Sequence, residues 1–258
     1  MDEKIDLKVT QTELLSMMKD IHQILIANGI HYSLTGGSLL GAVRESGFIP
    51  WDDDIDIMVD RKNYQRLRTA IEKSQLYQMG RGPWLQHIRP VAFTSEIEPY
   101  IDVFILDNIP DKKWKASFKL LRLRILQGML KEQVEYTGFS LTYKMCVFVT
   151  HILGKLFTRK FKLMRYDRVS QIGNDSATEY VSITNDSFGL LTKKHLSSLM
   201  DSFEEHSFED TELMITKKFH EYLTVRYGSD YMNPPPLEER VAGQHKNRPR
   251  VKNERLGI

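Results

Sequence analysis

Four aspartates fall within five residues, Asp52, Asp53, Asp54 and Asp56, and a fifth, Asp102, stands inside the apolar run Ile101-Asp102-Val103-Phe104-Ile105. Ile55, Ile57 and Val59 alternate with Asp54, Asp56 and Met58, the period of a strand. On such a strand Asp54 and Asp56 share one face, their Cα atoms about 7 Å apart. Two carboxylates so placed repel unless a cation stands between them, and Mg²⁺ accepts hard oxygen ligands of this kind. An aspartate inside a buried strand is costly to desolvate unless it is paired or bound to a cation. Asp102 is therefore a natural third carboxylate on a neighbouring strand. Taken alone, the acid run also fits a solvated strand edge or turn. Asp107, beyond the apolar run, reads as a turn or cap residue.

The elements upstream suit an anion. Residues 31–35, HYSLT, read as a short strand, followed at once by Gly36 and Gly37. A glycine pair there permits positive φ and close backbone approach to a ligand. Ser38 then opens an apolar helical run, with Ser38 near its N-cap. The exposed N–H groups of a helix N-terminus suit a phosphate. Phe48-Ile49-Pro50-Trp51 makes a tight connection to the acid run.

The rest of the chain is scaffold with one anomaly. Thr10 or Thr12 caps a first helix running to Asn28, and a second helix spans Asn63 to Ser74. Residues 85–93 and 97–106 read as strands, and 165–200 carry no clear pattern. Residues 202–208 read as a strand, Thr216 to Tyr227 as a helix closed by Gly228, and Tyr231 to Pro236 as a rigid extended segment. Glu238 to Ile258 form a polar, basic tail with the composition of a partly disordered segment. The single cysteine among 258 residues, Cys146, excludes an intramolecular disulfide and reads as a small buried hydrophobe. The N-terminus lacks the pattern of a signal peptide, and a cytoplasmic location is expected. Residues 112–168 hold 14 Lys and Arg against three acids, a net of +11, although the whole chain carries only +2. The longest uncharged run in this segment is ten residues, too short to span a bilayer. Two readings stay open. The segment is either a helical hairpin with solvated basic residues, or a basic apolar surface for an anionic membrane or polyanionic acceptor, peripheral on the inner face of the plasma membrane. No nucleic-acid motif accompanies the charge, and nucleic acid is not an expected partner.

The stretch TGGSLLGAVRESGFIPWDDDIDIMV resembles the LicD family with its fukutin-related members. IDVFILD resembles that family's third-carboxylate strand. FEEHSF, the helix ending in YGSDYMNPPP, Arg240 and His245 resemble its C-terminal pattern. The likeness covers most of 31–107 and 202–245, with its motifs in the family's order, and leaves 112–200 unmatched.

The resemblance implies an α/β fold, a nucleotidyltransferase-like mixed sheet with flanking helices and a basic helical insertion. The expected organisation is a catalytic core at 1–110, the insertion at 111–170, a part completing the catalytic domain at 171–245, and a tail at 246–258. It implies transfer of phosphocholine, or a related alcohol phosphate, from a CDP-linked donor to a hydroxyl of a cell-surface glycan, with release of CMP. The acceptor classes are teichoic acid, lipopolysaccharide and capsule, lipid-linked forms included. CDP-choline is the favoured donor; CDP-glycerol and CDP-ribitol stay open. Asp54, Asp56 and Asp102 would hold Mg²⁺, or Mn²⁺ in its place, with Asp102 also helping to deprotonate the acceptor. Gly36, Gly37 and Ser38 would bind phosphate. Arg44 is a candidate anion contact, and Trp51 would stack on the base or face the choline ammonium. Asp52 and Asp53 orient the ligands or build the turn, and Arg240 and His245 close over the donor. His87 and Arg89 can point into the site, and Trp84, Tyr100 and Phe104 are further aromatic candidates. The competing readings are nucleotidyl transfer releasing pyrophosphate and a non-catalytic nucleotide- or glycan-binding assembly protein.

Overall fold

Leu14, Met18, Ile21 and Leu25 recur at helical spacing. The computed structural model, which describes residues 7–95, 98–131 and 141–240, buries them along one face of α1 (Leu7–Ala27). The chain continues through β1 (Ser33–Leu34), α2 (Gly36–Glu45), β2 (Asp56–Asp60), α3 (Arg61–Ser74), β3 (Tyr77–Arg81), β4 (Gln86–Pro90) and β5 (Ile101–Ile109). Next come α4 (Lys113–Leu130), α5 (Leu141–Lys155), α6 (Arg159–Ser170), β6 (Tyr180–Ile183) and β7 (His195–Leu196). A hairpin, β8 (Phe203–Phe208) and β9 (Thr211–Thr216), and α7 (Phe219–Tyr227) complete it. This is the expected α/β fold.

The chain divides into two units. The first comprises residues 7–80, 86–95, 98–104 and 198–240. Its strands run in the order β1-β2-β5-β4-β3, β5 entering by its first half. Ser33 and Leu34 pair antiparallel with Met58 and Ile57, and His87 stands opposite Asp102. The β8–β9 hairpin anchors on the residues around β1, where Thr216 N–H donates to Ser33 Oγ (2.9 Å) and Met214 N–H to Tyr32 Oη (3.3 Å). The second unit comprises Arg81–Leu85 and residues 105–131 and 141–197. In it the second half of β5 pairs antiparallel with β6, and β6 with β7. Leu123, Leu126, Tyr166, Val169 and Leu191 form its core, against which Trp84 packs. A partly exposed Arg81–Asp167 pair and a buried Gln127–Asp186 hydrogen bond (2.7 Å) brace that core.

Several boundaries differ from the expectations, each for a local reason. Thr10 and Thr12 lie inside α1, and Thr12 spends its hydroxyl on the Lys8 carbonyl one turn back (2.8 Å) instead of capping. The N-cap of α2 is Thr35, which places Ser38 at the third helical position. β1 is only two residues long because Gly36, at φ +56, turns the chain directly into α2. β5 begins at Ile101, after Pro99, and extends through Asp107. Asp107 is thus no turn residue. It is buried in the strand, accepts from Asn174 Nδ2 (2.6 Å) and is hydrogen-bonded by the Thr184 hydroxyl. The stretch read as a helix from Thr216 begins with the end of β9, and the helix starts at Phe219. The hairpin turn is Glu209-Asp210, with Glu209 at φ +54 in place of the usual glycine or asparagine. Cys146 is exposed on α5, because that helix packs through Val147, Thr150 and Gly154 instead.

Candidate active site

The site grows from the junction of β1, α2 and β2. Thr35 N–H donates to the Asp56 carbonyl (3.0 Å), extending the β1–β2 ladder by one bond. Asp56 N–H in turn donates to Ser38 Oγ (2.8 Å), tying the start of β2 to the first turn of α2. The Thr35 hydroxyl does not cap the helix; it pairs with Tyr222 Oη at 2.5 Å on α7. The first turn of α2 therefore carries no side-chain cap from Thr35, and its two glycines lie against the carboxylates of Asp56 and Asp52.

Both glycines are required by those aspartates. A Cβ on Gly36 would stand 2.7 Å from Asp56 Oδ2, and one on Gly37 would collide with Asp52 Oδ2. Gly36 also holds a positive φ, so a side chain there is excluded on two grounds. A third glycine, Gly41, lets α2 lie against the backbone of Gly47 and Ile49, which fixes the loop leading to Trp51.

Asp102 joins from β5. Its N–H donates to the Ile55 carbonyl (3.0 Å), placing it beside the residue between Asp54 and Asp56. Asp54, Asp56 and Asp102 are all more than nine-tenths buried. Burial first, then repulsion from Asp54, Asp102 and Asp52, pushes the Asp56 carboxyl well above the usual carboxylate range, against an opposing pull from Arg226. Asp52, Asp53 and Asp54 bring carboxylate oxygens within 4.8 Å of one another, a group that contains neither Asp56 nor Asp102. Asp52 and Asp53 thus stand in the acid cluster itself. The donor set consists of hard oxygens, with several buried carboxylates repelling one another. That chemistry fits a divalent cation such as Mg²⁺.

His87 reaches Asp102 from β4, its Nδ1 hydrogen-bonded to Asp102 Oδ1. Tyr100 packs edge-on against the His87 ring (4.8 Å between centroids), and Arg89 lies over Tyr100 while pairing with Glu98. Arg226, on the last turn of α7, is the cation of the site, with Nη2 3.7 Å from where a Gly36 Cβ would stand. The sequence reading missed it, since nothing in the spacing of α7 marks it. Its proximity to the aspartates arises only once Tyr222 has docked on Thr35.

The remaining candidates spread out. Arg44 sits eight residues into α2, about 12 Å along the axis from its first turn; it is bonded to Glu45 (2.8 Å) and the Tyr231 carbonyl (3.5 Å), which ties the triple-proline segment to α2. Trp51 is half-buried beneath the Arg240 guanidinium (5.3 Å), and Arg240 is held by the Pro235 carbonyl (2.8 Å). Phe104 is buried in β5. Trp84 serves the core of the second unit. His245 lies outside the described residues.

Residues 29–122 match the family model described as LicD/FKTN/FKRP, nucleotidyltransferase domain. The lipopolysaccharide cholinephosphotransferase LicD of Haemophilus influenzae is 27% identical over 92% of this chain and 95% of its own length. An uncharacterized protein of Rickettsia typhi is 46% identical over 38% of this chain and 30% of its own. The human ribitol 5-phosphate transferase FKRP is 48% identical over a shorter stretch, 18% of this chain and 10% of its own. The matched segment contains the glycine turn, the aspartate run, His87 and Asp102. Over residues 29–122 this chain is similar to the nucleotidyltransferase domain of the LicD/FKTN/FKRP family, and over almost its whole length to a cholinephosphotransferase.

Proposed function

We propose that this transferase moves phosphocholine from CDP-choline to a hydroxyl of a cell-surface glycan and releases CMP. The observation that carries the reading is the buried set Asp54, Asp56 and Asp102 beside the first turn of α2, in a chain similar to a cholinephosphotransferase along almost its whole length. The acceptor oxygen attacks the phosphorus distal to the nucleoside. The bond from that phosphorus to the bridging oxygen breaks, CMP leaves with the electron pair, and the acceptor proton passes to a carboxylate. Asp54, Asp56 and Asp102 would hold Mg²⁺, or Mn²⁺, which neutralises charge on the attacking and leaving oxygens of such a displacement. The N–H groups of Gly37 and Ser38 bind a donor phosphate. Arg226 adds a positive charge beside Asp56. His87 fixes the carboxylate plane of Asp102, the proton acceptor. Trp51 and Arg240 supply a stacked aromatic–guanidinium pair for the donor.

A second reading, nucleotidyl transfer, is favoured by the family model's own description. The products separate the two. Incubation with Mg²⁺, lipopolysaccharide or crude surface glycan, and in turn CDP-choline, CDP-glycerol, CDP-ribitol and CTP, is followed by chromatography of CMP and pyrophosphate. CMP from CDP-choline, lost in Asp56→Ala, is the expected result. CMP from another CDP-alcohol alone reassigns the donor, and pyrophosphate from CTP contradicts phosphocholine transfer.

A further inference from the structure

The second unit carries an apolar face that its own core does not use. On α5, Val147, Thr150 and Gly154 face inward; a Cβ on Gly128 of α4 would collide with Thr150, and one on Gly154 with the Met129 backbone. These close approaches seat α5 tightly on α4 along one narrow strip. The opposite side of α5 is Met145, Phe148, Val149 and Ile152, at helical spacing and all exposed, and Leu156 in the turn just beyond is 75% exposed. α4 repeats the pattern. Ala116, Leu120, Leu123 and Leu126 are buried, while Trp114, Phe118, Leu121 and Ile125 form an exposed stripe, with Trp114 at 68%. Surface helices of a water-soluble protein do not normally turn their larger apolar face outward.

The charge on these two helices has one sign. α4 and α5 contain no carboxylate at all, and the single acid of α6, Asp167, is committed to Arg81. Lys115 lies over the exposed Trp114 ring and Arg122 over Phe118, so cations stand beside the protruding aromatics. Lys144 and Lys155 bracket the apolar face of α5. At 15 residues α5 is about 22 Å long, shorter than a bilayer core, and no helix among the described residues is long and apolar enough to cross a membrane. Exposed apolar rows on two helices whose charged residues are all cations match the layered chemistry of an anionic lipid interface, with acyl chains beneath phosphates. A second copy of the chain would bring like charge against like charge across this face.

We propose that the exposed faces of α4 and α5 lie on the surface of an anionic lipid bilayer. The inference rests on the second unit alone and does not depend on the chemistry assigned to the carboxylate site. Its test is flotation of the full chain with vesicles of pure phosphatidylcholine or with about 30 mol % phosphatidylglycerol, at about 50 mM and about 500 mM salt. The full chain is expected to float with the anionic vesicles at low salt, and at least about tenfold less with neutral vesicles or at high salt. Phe148→Glu with Ile152→Glu, both exposed positions, is expected to cut the bound fraction about tenfold without changing the circular-dichroism melt. Lys144→Glu with Lys155→Glu is expected to act in the same direction and keeps the test open should the first variant melt early. Failure to float with anionic vesicles at low salt would overturn the proposal. So would flotation unchanged by both variant pairs. Equally, a concentration-dependent dimer in light scattering, abolished by the apolar pair in a chain that does not float, would assign the face to a second copy.

Discussion

Strand β5 carries two buried aspartates five residues apart, and they live opposite lives. Asp107, near the end of β5 in the second unit, is 1% exposed and takes the Thr184 hydroxyl and the Asn174 amide, neutral donors that satisfy a carboxylate. Asp102, near its start in the first unit, is 7% exposed, shares one oxygen with His87, and adds to the repulsion already acting on Asp56 from Asp54 and Asp52. Burial alone does not mark a functional acid. A buried carboxylate supplied with neutral donors is structure, whereas one packed among other carboxylates stores repulsion that a cation relieves.

The largest expected effect is at the crowded end. Asp56→Asn or Asp54→Asn should lower transfer by about 1,000-fold or more, read as CMP release at saturating donor, in a chain that still unfolds cooperatively. Asp102→Asn should cost about 100-fold by the same assay. Asp107→Asn should instead lower stability by about 1–3 kcal/mol in denaturant titration and leave activity per folded molecule unchanged; a selective activity loss there would break the comparison. Gly36→Ala, by driving a Cβ toward Asp56 and straining a positive φ, should weaken divalent-cation binding about tenfold and lower the melting temperature. His87→Gln, which keeps a hydrogen-bonding group near Asp102, should reduce kcat about tenfold with KM little changed.

The smallest effect is on stability against pH, and its sign is opposite to that of an ordinary ion-paired acid. Burial and its carboxylate neighbours raise the Asp56 carboxyl in the folded state, so the folded chain holds that proton more tightly than the unfolded one. Stability from this group is present below the unfolded carboxylate range and is lost as pH rises through the folded value. Asp56→Asn, uncharged throughout, should therefore melt above the parent at neutral pH in EDTA and lose that advantage toward pH about 4, and added Mg²⁺ should raise the parent alone.

The sequence made the aspartate run and the glycine pair legible because both are local. Period-two alternation and a double glycine before an apolar run are visible without tertiary knowledge. Asp102 was legible because an acid in an apolar run is anomalous wherever it lies. Asp107 was misread since its neutral partners, Asn174 and Thr184, sit 67 and 77 residues away. Arg226 escaped for the same reason, and β9 because Glu209-Asp210 carries no glycine to announce a two-residue turn. The outward-facing helices were legible as basic and apolar. Which side of them faces the core is decided by Gly128 and Gly154, whose significance appears only when the two helices touch.

The crowded carboxylates of the first unit are expected to hold a divalent cation. Calorimetric titration of Mn²⁺ into the parent chain, Asp56→Asn and Asp107→Asn addresses it directly. Saturable binding is expected for the parent and Asp107→Asn, with loss of at least about tenfold in affinity in Asp56→Asn. Undiminished binding by a folded Asp56→Asn would contradict it.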